Sequence, residues 1–195
     1  MDESDLARVR PLFTESLALL AKRLGAAVID GGTNSGVMQL MGRAREAGGY
    51  RFPLIGVATE GLVSWPGGPQ AGDEMLEPHH THFVLVPGSR WGDESPWLAR
   101  LATALSASQP SVTVLINGGE TAWDDVLHSV GENRRVIVVA GSGRTSDSLA
   151  SAVRGERAGK RARNLVASGL LTVVDLANGP GGLSDAVERI LSPKE

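Results

Sequence analysis

Apolar positions along the chain fall into two alternating patterns. Short, nearly continuous apolar and β-branched runs occur at Leu54–Ala58, Phe83–Val86, Val112–Ile116, Val136–Val139 and Leu170–Val174, with Val28-Ile29 as a shorter sixth. Continuity rather than alternation is the pattern of strands covered on both faces, which predicts a parallel sheet. Between the runs, apolar residues recur at helical spacing. Leu6, Val9, Leu12, Phe13, Leu17, Leu20 and Leu24 form one stripe, with Pro11 predicting a kink or a late start. Leu98, Leu101, Ala102 and Leu105 form a second, opened by Ser95 as cap and Pro96 in the first turn. Val126 and Val130 face inward on a third helix, and Leu183, Val187 and Ile190 on a fourth. Strands alternating with helices predict one α/β domain over residues 1–195, a Rossmann-like three-layer fold with a mostly parallel sheet and right-handed crossovers.

Two segments break the alternation. Val63 to Pro78 carries Pro66, Gly67, Gly68, Pro69 and Gly72 and predicts a long loop. Arg154 to Arg163 is charged and predicts an exposed helix or a mobile surface element.

Composition narrows the function classes. The 195 residues are 42% hydrophobic and 21% charged, as in an ordinary globular domain with a sizeable core. The net charge of −3 argues against a general electrostatic role on nucleic acid. There is no cysteine, which removes disulfides and thiolate chemistry. No apolar run reaches membrane-spanning length, and Met1–Asp5 is acidic rather than signal-like. A cytoplasmic location is the resulting expectation.

Ligands of open parallel sheets bind at the carboxyl ends of the strands. Four such ends carry Gly-rich polar loops: Gly31-Gly32-Thr33-Asn34-Ser35-Gly36, Pro87–Glu94, Asn117-Gly118-Gly119-Glu120-Thr121 and Gly141-Ser142-Gly143-Arg144-Thr145. The first joins a strand to a helix, where free N–H groups and the helix dipole offer a seat for phosphate; a tight turn with an ordinary cap reads equally well. It has neither the G-x-G-x-x-G spacing nor the Gly-Lys-Ser/Thr of a P-loop. Together the four loops suit a ligand with phosphates and hydroxyls.

Individual side chains carry two readings each. Arg144, directly after Gly-Ser-Gly, is placed to grip a phosphate or carboxylate; the plain alternative is pairing with Asp147. Arg90 has the same two readings, with surface pairing ahead. Trp91 and Trp123 could stack on a base, with packing the simpler role. Asp124 and Asp125 are candidates for acid or base and are also favourable at a helix start. His79, His80 and His82 precede a strand, yet no further ligand is evident, so no metal is expected and His82 is read as structural or ligand-touching.

Quoted together, these stretches resemble a known family. Gly31–Met38, Pro53–Ala58, Leu76–Phe83, Asn117–Glu120 and Gly141–Arg144 resemble, in order, the prokaryotic SLOG domains (LSDAT type) related to the N-terminal region of melastatin-type TRP channels. These belong to the Rossmannoid superfamily that includes LOG proteins and DprA-type domains. The resemblance implies binding of a nucleotide-derived ligand, ADP-ribose or a related NAD derivative, for sensing or signalling rather than turnover. Carried over, Gly31, Gly32, Thr33, Asn34, Ser35 and Gly36 would hold the phosphate end, with His82 touching ligand. Gly118 and Gly119, with Glu120, would line the centre. Gly141, Ser142, Gly143 and Arg144 would bind a phosphate.

The departures point to alternatives. LOG-type phosphoribohydrolases carry Pro-Gly-Gly-x-Gly-Thr-x-x-Glu where this chain has Asn117–Asp125. Asp125 then occupies the catalytic carboxylate position, one methylene shorter, and an N-glycosidic hydrolase would use Asp125 or Glu120. Related domains open with a strand and Gly-rich loop before the first helix. This chain starts at that helix, so the expected first strand is absent and one sheet position with it. A homo-oligomeric scaffold with a vestigial pocket is a third reading. With no effector domain attached, the expected partners are a small nucleotide ligand and further copies of the chain.

Overall fold

In the computed structural model, which describes residues 1–68 and 72–192, the first apolar stripe forms one long helical rod. Asp2 caps it by accepting the Asp5 N–H, so α1 runs Glu3–Leu12. Pro11 lies inside the rod, and the turn that follows, Phe13–Leu17, widens to π geometry before α2, Ala18–Leu24. A proline has no N–H to give the preceding turn, and a wide turn beside it absorbs the mismatch without ending the helix. The expected kink is therefore a π segment within a continuous rod.

The apolar runs become strands at the expected places: β1 Val28–Asp30, β2 Leu54–Thr59, β5 His82–Val86, β6 Val112–Ile116, β7 Arg135–Ala140 and β8 Leu171–Asp175. Within Val63–Pro78, two short strands, β3 Val63–Ser64 and β4 Glu74–Met75, pair in parallel where a loop was expected. Pro69 of that expected loop lies outside the described residues. The helices are α3 Gly36–Ala47, α4 Ser95–Ser106, α5 Ala122–Gly131, α6 Arg144–Val153, α7 Lys160–Val166 and α8 Gly179–Leu191. The charged Arg154–Arg163 segment bridges α6 and α7.

All pairings in the main layer are parallel, but the layer is split. β1, β2 and β5 form one three-stranded sheet in the order β1-β2-β5, and β6, β7 and β8 another in the order β6-β7-β8. Among the described residues, β1 and β6 are not hydrogen-bonded to each other. One apolar core nevertheless spans both halves: Leu54 and Val28 pack with Ile116, Ile137, Val139 and Val174 beneath α1, α3 and α8. A second core joins β6, β7 and β8 to α5, α6 and α7 through Val126, Val136, Val138, Leu149 and Leu165. Helices thus cover both faces, giving three layers. Each fully buried side chain such as Leu54, Ile137, Leu149 or Leu183 contributes about 1.5–3 kcal/mol.

Helix α4 departs from expectation. Its buried positions are Ser95 and Ala99, while Leu105 is 52% exposed and Trp97 46% exposed. Ser95 is the first helical residue rather than the cap, and its hydroxyl turns to another helix. Buried Arg134 anchors α4 instead. Its guanidinium donates to the Ala99 carbonyl at 2.9 Å, Thr103 Oγ1 at 2.7 Å and Ser111 Oγ at 3.0 Å.

Candidate functional site

The order of strands fixes where a ligand crevice belongs. From β1 the chain moves outward to β2 and β5, returns through α4, and moves outward again from β6 to β7 and β8. The reversal lies between β1 and β6, and in open α/β sheets the crevice forms outside the carboxyl ends of the strands at such a point. The loops after β1, β6 and β7 all open there.

The loop after β1 is held tightly by its own protein. Gly32 donates its N–H to Asp30 Oδ1 at 2.8 Å, and its carbonyl accepts the Glu77 N–H at 2.9 Å. Asn34 donates its N–H to the Met75 carbonyl at 2.7 Å, closing a bridge between Thr33 and Leu76. Two of the N–H groups expected to receive an anion, those of Gly32 and Asn34, are therefore committed within the protein. The donors left facing outward belong to the first turn of α3, where Ser35 makes no side-chain cap. Asn34 Oδ1 accepts from Gln39, and Thr33 Oγ1 lies 3.2 Å from Ser35 Oγ. Gly32 has φ +66° and passes so near Gly56 that a Cβ on it would stand 2.7 Å from the Gly56 Cα. No other residue fits there.

The loops after β6 and β7 interlock into one platform. Asn117 is buried with φ +60°, and its amide Nδ2 donates to the Ser142 carbonyl at 2.7 Å. Ser142 Oγ accepts the Asn117 N–H at 2.8 Å and donates to the Val139 carbonyl at 2.6 Å. Thr145 Oγ1 donates to the Gly119 carbonyl at 2.8 Å. Arg144 also has a positive φ, +52°, at the start of α6. Left-handed backbone at two non-glycine residues costs of order 1 kcal/mol each and concentrates at functional sites. The exposed Arg144 guanidinium lies across Gly119, with Nη2 3.3 Å from where a Cβ would be. Asp147, its expected partner, instead accepts the Gly141 N–H at 2.6 Å. Among the described residues Arg144 makes no ion pair.

An acidic corner flanks this platform. Asp125 Oδ1 accepts from Ser95 Oγ at 2.6 Å. Burial pushes the Asp125 carboxyl up to about 6; the Ser95 hydrogen bond opposes this, while the charges of Glu94 and Asp124 add to it. Glu94, itself buried, accepts from Thr59 Oγ1 at 2.8 Å and from the Gly92 N–H at 3.0 Å. The exposed Glu120 carboxylate pairs with Arg161 at 2.6 Å, and Arg161 also holds Asp124 at 2.6 Å. The same guanidinium covers the Trp123 ring at 5.2 Å. The Pro87–Glu94 loop is closed on itself, with Ser89 and Arg90 donating their N–H groups to Asp93 Oδ2, which holds the Asp93 carboxyl below its ordinary range. Arg90 lies 3.8 Å from Asp93, and Trp91 is 46% exposed.

Of the histidines, the structure brings a different one to the glycine loop. His82 is exposed at the start of β5 and bonds only its neighbour Thr81. His80 is the buried one, its ring between Asp30 and Glu77 at 2.8 Å from each. Both its nitrogens are taken by carboxylates, so the His-His-x-His run does not converge as a ligand set. Sequence reasoning missed Asp30, Glu77, Glu94 and Ser95; the one available signal was their position at strand ends or beside the Gly-rich loops.

Two concave surfaces lie nearby and far away. A cleft of about 330 Å³ beside the ends of β7 and β8 is lined by Arg8, Ala140, Gly141, Asp175, Leu176 and Ala177. A groove of about 500 Å³ lies at the opposite end of the sheet, between Lys22, Gly25 and Gly48–Pro53. There α2 and α3 present their carboxyl ends, whose partial negative charge disfavours an anion.

A family model described as "SLOG in TRPM, prokaryote" matches residues 1–184. A transient receptor potential cation channel subfamily M member-like 2 from Nematostella vectensis is 29% identical over 178 residues, 71% of this chain and 12% of that protein. Subfamily M member 2 from Mus musculus is 27% identical over 180 residues, covering 73% of this chain and again 12% of the channel. The chain therefore spans about an eighth of the length of these relatives. Among solved structures, the X-ray structure of the structural-genomics target TM1055 superposes with a TM-score of 0.65 at 20% identity, over 96% of this chain and 92% of that one. The molybdenum cofactor carrier protein from Chlamydomonas reinhardtii superposes with a TM-score of 0.60 at 16% identity, over 99% and 92%. Both likenesses are of fold.

Proposed function

The chain belongs to the prokaryotic, TRPM-related SLOG family, and on that premise we propose that it binds a nucleotide-derived ligand, ADP-ribose or a related NAD derivative, at the switch point between β1 and β6. The observation that carries the reading is Arg144. It is an exposed guanidinium without an ion-pair partner among the described residues, held in strained backbone over Gly119, on a platform rigidified by Asn117, Ser142 and Thr145. A planar fork of donors in that position suits two phosphate oxygens. The uncapped first turn of α3 provides a second set of donors across the crevice. A diphosphate between two sugars has its anionic charge at its centre, which fits a polar middle built from the Arg144 guanidinium and the first turn of α3. The role is sensing: occupation orders the loops and shifts a population.

A thermal-shift screen with ADP-ribose, cyclic ADP-ribose, NAD and AMP tests this. A ligand at 100 times its Kd stabilises the folded state by about 2.7 kcal/mol. A shift with one of these compounds that Arg144→Ala removes is the expected result. No shift with any of them, in folded protein, refutes the reading.

One observation favours a second reading, hydrolysis of an N-glycosidic bond. Asp125 is a carboxyl with its pKa raised to about 6 beside the platform, as a group that exchanges protons near neutrality needs to be. Incubation with AMP or ADP-ribose followed by chromatography of the released base distinguishes the two, with Asp125→Asn as the inactive control.

A further inference from the structure

His80 is the buried histidine of the chain, its side chain fully enclosed just before β5. Nε2 lies 2.8 Å from Asp30 Oδ1 and Nδ1 lies 2.8 Å from Glu77 Oε2. Ionised carboxylates only accept hydrogen bonds, and a neutral imidazole has one N–H to give. With both carboxylates ionised, both contacts are hydrogen bonds together only when the ring carries two protons. The energetics agree in direction. Burial alone would lower the His80 pKa, but the hydrogen bond and charge of Asp30, then of Glu77, outweigh it and raise it above 6.5.

The two carboxylates that His80 joins are also the two residues that grip Gly32. Asp30 Oδ1 takes the Gly32 N–H, and the Glu77 backbone N–H takes the Gly32 carbonyl. The Phe83 ring stacks on His80 with centroids 5.4 Å apart and packs beside Gly32. From α3, Gly42 leaves the space that the Glu77 carboxylate fills; a Cβ there would fall 2.1 Å from Glu77 Oε2. The other titratable groups facing this cluster are His79, whose Nδ1 lies 2.6 Å from Glu77 Oε1, and Arg45, which donates to the His79 carbonyl at 3.3 Å. His82 faces away, toward Thr81.

We propose that His80 is the positioning residue of the Gly31–Gly36 loop: its imidazolium fixes the Asp30 and Glu77 carboxylates that hold Gly32, and so couples ligand capture at that loop to the binding of one proton. The coupling rests on the nucleotide-binding reading above; the positioning of the loop does not. When the ring loses a proton, one carboxylate oxygen faces a nitrogen lone pair at 2.8 Å, and that bond opens. If Asp30 is the one released, the Gly32 N–H goes with it. The buried cation behind the loop is lost at the same step, which weakens the loop's attraction for phosphate. By linkage, an anionic ligand that binds the held loop must raise the proton affinity of His80 in return.

The test has two parts. In the ligand-free protein, an NMR titration follows the His80 ring nitrogens and the Gly32 amide from pH 6 to 9. Both are expected to move with one shared midpoint above 6.5, the ordinary histidine value. A His80 ring that stays neutral through pH 6–8, or a Gly32 amide that ignores it, overturns the proposal, whether or not any ligand binds. In the second part, ADP-ribose affinity is measured by calorimetry at each pH in two buffers of different ionisation enthalpy. The Kd is expected to rise up to tenfold per pH unit above the His80 midpoint, with proton uptake on binding. His80→Gln should flatten that profile and weaken binding about tenfold at pH 6.5, while His128→Gln, on α5, leaves it intact. Identical profiles for wild type and His80→Gln overturn the coupling. If ADP-ribose binds at no pH, the nucleotide reading and the coupling both fail, and the titration alone decides the positioning role. If His80→Gln does not fold, the wild-type titration and proton uptake decide.

Discussion

Asp125 makes a sharp prediction because its burial and its one hydrogen bond pull in opposite directions. In the folded protein its carboxyl is raised from 3.8 to about 6, so the folded state keeps a proton that the unfolded chain has released. The sign follows from linkage: between about pH 4 and pH 6 the folded state binds more protons, and stability falls as pH rises through that window. A shift of about two units at about 1.4 kcal/mol each puts the cost at about 3 kcal/mol above pH 7. Asp125 retains some solvent contact, so this is an upper bound. Asp125→Asn removes the charge and leaves an oxygen to accept from Ser95. The variant should gain on the wild type as pH rises from 4.5 to 7.5, by up to about 2 kcal/mol, since about 1 kcal/mol of the cost is already present at pH 4.5. For a domain of this size that is a difference in Tm of about 4–8 °C. Urea unfolding of both proteins at half-unit pH steps measures it. A constant difference between the two across that range would show that Asp125 is ionised and solvated in the folded state, and the argument from burial would be void.

Other expectations follow from single contacts. Ser95→Ala removes the one interaction that lowers the Asp125 pKa and should move the midpoint of its carboxyl ¹³C titration further up. Arg144→Ala should abolish the ligand-induced thermal shift yet leave the unliganded Tm within about 1 °C, because the side chain is exposed, pairs with no carboxylate among the described residues, and alanine bears the same left-handed backbone cost. Gly42→Ala should destabilise by about 1–3 kcal/mol in chemical denaturation, since the Glu77 carboxylate it would displace is itself tied to both His79 and His80. Leu54→Ala, at a fully buried position shared by both halves of the sheet, should cost about 2–5 kcal/mol.

What was legible in the sequence is whatever depends on near neighbours. Val112–Ile116 and Val136–Val139 are strands because nearly every residue in them is apolar and β-branched, and that is visible without knowing the partner strand. The loops Gly31–Gly36 and Gly141–Arg144 were visible for the same reason. The His80 cluster was not, because Asp30 and His80 are 50 residues apart and nothing local marks them as partners. Nor was the engagement of the Gly32 carbonyl and the Asn34 N–H, which depends on the Met75–Glu77 segment folding back over the loop. The α4 stripe was only partly legible: Leu98, Leu101 and Ala102 are half-buried as their spacing predicts, while Leu105 is exposed and Arg134 and Ser95 anchor the helix by hydrogen bonds that spacing does not reveal. The widened turn after Pro11 is a local response that spacing alone does not distinguish from a kink.

The divided sheet gives ligand binding a mechanical meaning. The glycine loop hangs from β1, in one half, while Asn117–Gly119 and Arg144 hang from β6 and β7, in the other. Side-chain packing joins the halves, but among the described residues no ladder of backbone bonds crosses between them. On the proposed reading, a diphosphate held at one end by the first turn of α3 and at the other by Arg144 would act as a stitch across this seam. Occupation would then be felt as stiffness of the whole domain, and the proposed sensing would be read from a tightened or loosened seam rather than from the pocket itself.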